Sequence, residues 1–196
     1  MPRLPRVRWY KRPNWLTLSR MGLALILPFI FQISNAGAIA LSCLLLALMG
    51  LTDLLDGYFA RKYGLASRGG ELIDSTADGF ARLTVLVLFL DARLIPLWMV
   101  LAVFWRDMVS WSLRFMDLAQ RRAAVRKRLS GKVNGTAQSA AISLIMLALL
   151  WAALAGQPYA AELVWLAMLA GATTALWSGL DLLITHRQTL RSFLRS

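Results

Sequence analysis

The chain has 196 residues; 58% are hydrophobic and only 16% charged, yet the formal net charge is +12. So much apolar surface exceeds what a soluble domain of this size needs, and basic residues set between long apolar runs mark the flanks of membrane spans, which argues against a nucleic-acid partner. The single cysteine, Cys43, and the single histidine, His186, exclude an intrachain disulfide, a cysteine metal site and a histidine triad, so any chemistry falls to carboxylates and basic groups.

Residues 1–13 are basic, contain three prolines and carry Leu4, Val7, Trp9 and Tyr10, the mix of a short segment lying on an anionic leaflet. The apolar run that follows is interrupted by Arg20 and leads to no small-residue cleavage site, so it is expected to stay as a span. A crossing takes about 20 mostly apolar residues. Six such runs are predicted, at 15–33, 38–58, 71–90, 95–118, 135–154 and 161–185. The fold expected is all-α: a polytopic membrane domain of six transmembrane helices over 14–185, preceded by the interfacial segment 1–13 and followed by a basic tail, 186–196.

Basic residues alternate between the connections. Arg3, Arg6, Arg8, Lys11 and Arg12 precede the first span; Arg61, Lys62 and Arg68 lie between the second and third; Arg121, Arg122, Arg126, Lys127, Arg128 and Lys132 lie between the fourth and fifth; and Arg187, Arg191 and Arg195 follow the sixth. The connections on the other side carry only Arg93. This pattern predicts a multi-pass protein of the cell inner membrane with both termini cytoplasmic.

Charged side chains inside spans are costly and mark function. Asp53 and Asp56 lie near the end of the second span, Asp74 and Asp78 in the first turns of the third, so all four are expected at the cytoplasmic level. Their spacings, i, i+3 and i, i+4, put each pair on one helix face. Four close carboxylates need compensating charge, and oxygen donors without histidine or cysteine favour a hard cation, Mg²⁺ or Mn²⁺, with two ions better than one. Gly57 and Ala60 leave room for a ligand against the helix backbone, Arg61 can pair with a diphosphate oxygen, and Gly70 permits close helix packing.

The segment Asp53-Leu-Leu-Asp56-Gly57-Tyr-Phe-Ala60-Arg61, then eight residues, then Gly70-Glu-Leu-Ile-Asp74-Ser-Thr-Ala-Asp78 resembles the signature of the CDP-alcohol phosphotransferases, D-x2-D-G-x2-A-R-x8-G-x3-D-x3-D, at every fixed position. The resemblance implies that Asp53, Asp56 and Asp74 ligate metal, that Asp78 completes the metal site and takes the proton from the attacking hydroxyl, and that Gly57, Arg61 and Ser67 lie against the CDP part of the donor. Asn14 and Thr17, in Pro13-Asn14-Trp-Leu-Thr17-Leu-Ser-Arg20, resemble the family's donor-binding start of the first span. It also implies CDP-diacylglycerol as the donor, a polar alcohol as acceptor and a homodimer in membrane lipid.

Arg106-Asp107, Leu113-Arg114 and Gly131-Lys132-Val-Asn134-Gly135-Thr136-Ala-Gln138 resemble the phosphatidylglycerophosphate synthase branch, which implies glycerol 3-phosphate as acceptor and Arg106, Arg114 and Lys132 as its phosphate partners. The chain departs from that branch in three ways. Asp74-Ser75-Thr76-Ala77-Asp78-Gly79 stands where the branch has Asp-Pro-x-Ala-Asp-Lys, Asn134 replaces a lysine, and Gly135 is an extra residue. The Asp-Ser-Thr wording is closer to the inositol-phosphate branch, so that acceptor stays open. Arg82, one turn past Asp78, either supplies the missing positive charge or neutralises the aspartates. Two rival readings are a divalent-cation transporter and a catalytically dead relative. Arg61 and Lys62 beside the carboxylates disfavour the first, and the intact signature disfavours the second.

Overall fold

The computed structural model describes residues 14–62, 68–119 and 129–187. They form six helices: α1 (Asn14–Ile30), α2 (Ala36–Lys62), α3 (Arg68–Asp91), α4 (Leu97–Ala119), α5 (Leu129–Ala155) and α6 (Ala161–Thr185). The expected elements are all present. Helix α6 has the predicted bounds, and α5 starts six residues earlier than expected, which brings Lys132 into the helix. The expected interfacial segment 1–13, the most basic part of the 4–5 connection and the tail beyond 187 lie outside the described residues.

Local chemistry sets the helix ends. Asn35 caps α2: its Oδ1 accepts from the Ala38 N–H at 3.2 Å and its carbonyl from the Ile39 N–H at 3.0 Å. Helix α5 stops at Gly156, whose φ of 63° lets the Gln157 N–H reach back to the Ala152 carbonyl at 3.0 Å. Helix α3 ends the same way with Arg93 in the left-handed position at φ 57°, and Leu94 donates to the Phe89 carbonyl at 2.8 Å. A residue with a Cβ is strained there by about 1–2 kcal/mol. Buried Leu94 and Ile95 offset that strain by closing the apolar end of the bundle.

Each helix packs chiefly against two others, and the contacts close a ring in the order α1, α2, α5, α6, α4, α3 and back to α1. Leu27, Ile39, Phe89, Met99, Ile145, Leu149, Val164 and Met168 fill its apolar end. Small residues let helices approach closely. The Trp105 ring lies against Gly179, and Ala172, Ala175 and Ser178 continue that face of α6.

The outside of the bundle is apolar: Phe29 is 87% exposed, Trp151 73% and Leu54 70%. Among the described residues the buried polar side chains are Thr17, Arg20, Ser42, Asp107, Ser110, Ser130, Asn134, Gln138 and Ser178. An apolar exterior with the buried polar groups held inside the bundle suits lipid as solvent. Among the described residues three segments, Ala36–Leu55, Leu129–Ala155 and Ala161–Thr185, are long and apolar enough to cross a membrane. Helix α1 has 17 residues, whereas α3 and α4 carry their charges, Asp74, Asp78 and Arg82 on one and Arg106, Asp107 and Arg114 on the other, within the helix.

Candidate active site

Asp74 and Asp78 are one turn apart on α3 and so share a face. Asp53 reaches them from α2. One oxygen from each of the three lies within 4.8 Å of the others, an arrangement that could hold a metal ion. Helix α1 stands against both α2 and α3, and its Arg20 side chain enters the cluster. Arg20 Nη2 is 3.1 Å from Asp53 Oδ1, and Nη1 is 3.5 Å from Asp74 Oδ1 and donates to Asp78 Oδ1. The arginine is 3% exposed, the carboxylates 36–46%. Three carboxylates so close repel one another unless positive charge is set among them. One guanidinium leaves two formal negative charges, the charge of one divalent cation. The donors are all oxygen, as a hard cation prefers.

Beside the cluster is a cavity of ≈ 490 Å³ whose lining includes the charged Arg20, Asp53, Asp78 and Arg82 and the apolar Cys43, Leu46, Ile142 and Met146. The walls come from α1, α2, α3 and α5. A ligand with a charged head and an apolar body has both surfaces available there.

A second polar network adjoins the first. Arg82 Nη2 donates to Asp107 Oδ2 at 3.2 Å, and Arg106 Nη1 donates to Asp107 Oδ1 at 2.8 Å. Arg106 Nε also reaches Ser178 Oγ at 3.4 Å, tying α4 to α6. Ser130 Oγ donates to Asp181 Oδ2 at 2.5 Å, and Gln138 Nε2 to Asn134 Oδ1 at 2.9 Å. Arg106 and Asp107 lie near the middle of α4, Ser178 and Asp181 in the second half of α6, and Ser130, Asn134 and Gln138 in the first half of α5.

The structure brings together Asp53, Asp74 and Asp78 of the expected quartet. Asp56, Gly57, Ala60 and Arg61 lie on the last turns of α2 and Asn14 at the start of α1, with side chains outside the described set; Ser67 lies outside the described residues altogether. Thr17 is buried one turn before Arg20, and Gly70 is half-buried one turn before Asp74. Arg106 is paired with Asp107, Lys132 is exposed on α5, and neither these two nor Arg114 lines the cavity. Sequence reasoning treated Arg20 only as a break in an apolar run. The signal was available, because a buried arginine in a span requires a partner and four carboxylates were in sight.

Gly79 also has a structural reason. The Trp111 ring occupies the space a side chain at 79 would need, and Trp111 Nε1 donates to the Ser75 carbonyl at 3.4 Å.

A model of the CDP-alcohol phosphatidyltransferase family matches residues 10–177, and the chain belongs to that family. It is therefore a phospholipid-forming transferase, which sets aside the transporter and inactive readings. Among its relatives is a protein of Bacillus subtilis named CDP-diacylglycerol–glycerol-3-phosphate 3-phosphatidyltransferase, 29% identical over 81% of this chain and 88% of the relative. A Rickettsia felis protein of the same name is 34% identical over 69% of this chain and 74% of its own. A Drosophila melanogaster protein named probable cardiolipin synthase (CMP-forming) is 31% identical over 71% of this chain and 48% of the relative.

Proposed function

We propose that the chain moves a phosphatidyl group from CDP-diacylglycerol to glycerol 3-phosphate and releases CMP, with six membrane-spanning helices and the reaction at their cytoplasmic end. The observation that carries this reading is the convergence of Asp53, Asp74 and Asp78 beside a cavity lined by both charged and apolar side chains. Asp56, four residues before Ala60 in the same signature, is assigned to the same cation site, for one or two Mg²⁺ or Mn²⁺ ions. Held by these aspartates, such a cation would supply positive charge for the diphosphate and for the departing CMP oxygen.

The chain's own residues do the rest. Asp78 accepts the proton of the acceptor hydroxyl, whose oxygen forms a bond to the phosphorus bearing the diacylglycerol while the bond from that phosphorus to CMP breaks. Asn14, Thr17, Gly57, Ala60, Arg61, Ser67 and Gly70 are assigned to the CDP-alcohol. Arg106, Arg114 and Lys132 are assigned to the acceptor phosphate. The apolar lining, Cys43 and Met146 included, leaves the acyl chains in contact with hydrocarbon while the nucleotide meets the charged side chains. The basic segments around 1–13, 121–132 and 187–195 favour the cytoplasmic side for the reaction and for both termini. A homodimer is part of the same reading.

The names of the Bacillus and Rickettsia relatives support glycerol 3-phosphate. The Asp74-Ser75-Thr76 wording supports inositol phosphate as the second choice. The test is CMP release by purified protein from CDP-diacylglycerol with Mg²⁺ or Mn²⁺ and one acceptor at a time: glycerol 3-phosphate, inositol 1-phosphate, phosphatidylglycerol, free inositol or serine. Release dependent on glycerol 3-phosphate supports the proposal. Release with another acceptor alone overturns the acceptor, and release with none overturns the reaction.

A further inference from the structure

We propose that Arg82 binds the anionic group of the acceptor, with Asp107 holding its guanidinium ready at the cavity wall. This role rests on the proposed transfer to a phosphate-bearing alcohol and deepens it by naming a residue outside the family signature.

Arg82 stands one turn beyond Asp78 on α3, and both line the cavity. Its Nη2 is 3.2 Å from Asp107 Oδ2, while the other oxygen of the same carboxylate takes Arg106 Nη1 at 2.8 Å. Asp107 is 5% exposed, Arg106 13% and Arg82 18%. One buried carboxylate thus serves two guanidiniums, and these three side chains carry a net positive charge at the cavity wall. Such an excess is costly unless an anion shares it.

A second observation points the same way. The Nε of Arg82 is buried with no hydrogen-bond partner among the described residues. Buried donors are nearly always satisfied, and one left over beside a cavity calls for an acceptor atom from elsewhere. The guanidinium fork matches two oxygens of a phosphate, so an incoming phosphate satisfies the idle N–H and the surplus charge together.

The other cation on the cavity wall is already engaged: Arg20 faces Asp53, Asp74 and Asp78. A basic side chain at position 79 is precluded by the Trp111 ring. Arg82 is therefore the cationic donor that α3 directs to the cavity wall, one turn from the proposed base, where an acceptor phosphate would set its hydroxyl near Asp78.

The rival role for Arg82 is a purely structural tie between α3 and α4, and kinetics separate the two. In the metal-loaded wild-type protein and in Arg82→Gln, KM for glycerol 3-phosphate, KM for CDP-diacylglycerol, kcat and the competitive inhibition constant of inorganic phosphate are measured. In Arg82→Gln, KM for glycerol 3-phosphate and the phosphate inhibition constant are expected to rise together by about tenfold or more, the weight of a lost charge-assisted contact. KM for CDP-diacylglycerol is expected to stay within about twofold. Arg82→Lys keeps the charge but not the fork and is expected to fall between. It carries the same test where Arg82→Gln does not fold.

A fall in kcat with both acceptor-side constants unchanged, in whichever variant folds, overturns the role of Arg82. Wild-type protein that releases no CMP with any phosphate-bearing acceptor overturns the underlying reaction instead.

Discussion

Arg20 and Asp78 are ion-paired across the α1–α3 interface, although 58 residues separate them in the chain. The same guanidinium is within reach of Asp53 and Asp74. The acids therefore hold α1 in place, and α1 in turn supplies their nearest positive charge.

Removing that charge should weaken the metal-free protein most. Arg20→Met is expected to lose about 2 kcal/mol in chelator, between the values for exposed and buried ion pairs because the carboxylates are half-exposed. Divalent cation should then stabilise the variant more than it stabilises wild type. Thermal unfolding in detergent, with chelator and with Mg²⁺, measures both. A variant as stable as wild type in chelator would refute the electrostatic account.

Asp78→Asn keeps the shape of the side chain and removes its capacity to take a proton. CMP release is expected to fall by about 10²–10⁴-fold, the range for general-base catalysis. Binding of CDP-diacylglycerol should change far less. Single-turnover CMP release and a lipid-binding assay distinguish the two effects, and a drop of less than about tenfold would remove Asp78 from the role of base.

Chelation should abolish CMP release, and Mg²⁺ or Mn²⁺ should restore it. With Asp74→Asn one oxygen charge is lost from a cluster that spans 4.8 Å, so restoration should need more cation. The midpoint of a Mn²⁺ titration, read by activity and by electron paramagnetic resonance of the bound ion, checks this. Activity that persists undiminished after exhaustive chelation would contradict it.

The Gly79–Trp111 contact gives a stability prediction independent of the chemistry. A Cβ at position 79 meets the indole ring, whereas one at Gly22 meets nothing within 4 Å. Gly79→Ala is expected to cost about 1–3 kcal/mol through overpacking. Gly22→Ala, on the exposed face of α1, is expected to gain about 0.5–1 kcal/mol from helix propensity. Melting temperatures of the two variants should move in opposite directions, and equal shifts would contradict the packing described.

Most of the helical layout was legible because it depends on local terms. Apolar run length, the Ser34-Asn35 break and the Gly156-Gln157-Pro158 stop are written in adjacent residues, and Asn35 and Gly156 act as cap and terminator. The acid cluster was legible because i, i+3 and i, i+4 spacings fix helix faces. What escaped was register between helices distant in sequence. Nothing local says that α1 stands against both α2 and α3, that Arg20 meets the acids, or that Asp107 on α4 binds Arg82 on α3. Arg82 was left between two roles for the same reason, since its partner is 25 residues away.

The order of the ring bears on biosynthesis. Helix α1 leaves the ribosome before α2 and α3, which carry the groups that neutralise Arg20. Where α1 spans the membrane, an uncompensated arginine penalises its bilayer insertion, by at most about 2.5–3.5 kcal/mol on translocon scales, the value at a span's centre. Helix α1 should therefore commit to the bilayer more firmly once α2 and α3 have arrived, which couples topogenesis to assembly of the acid cluster.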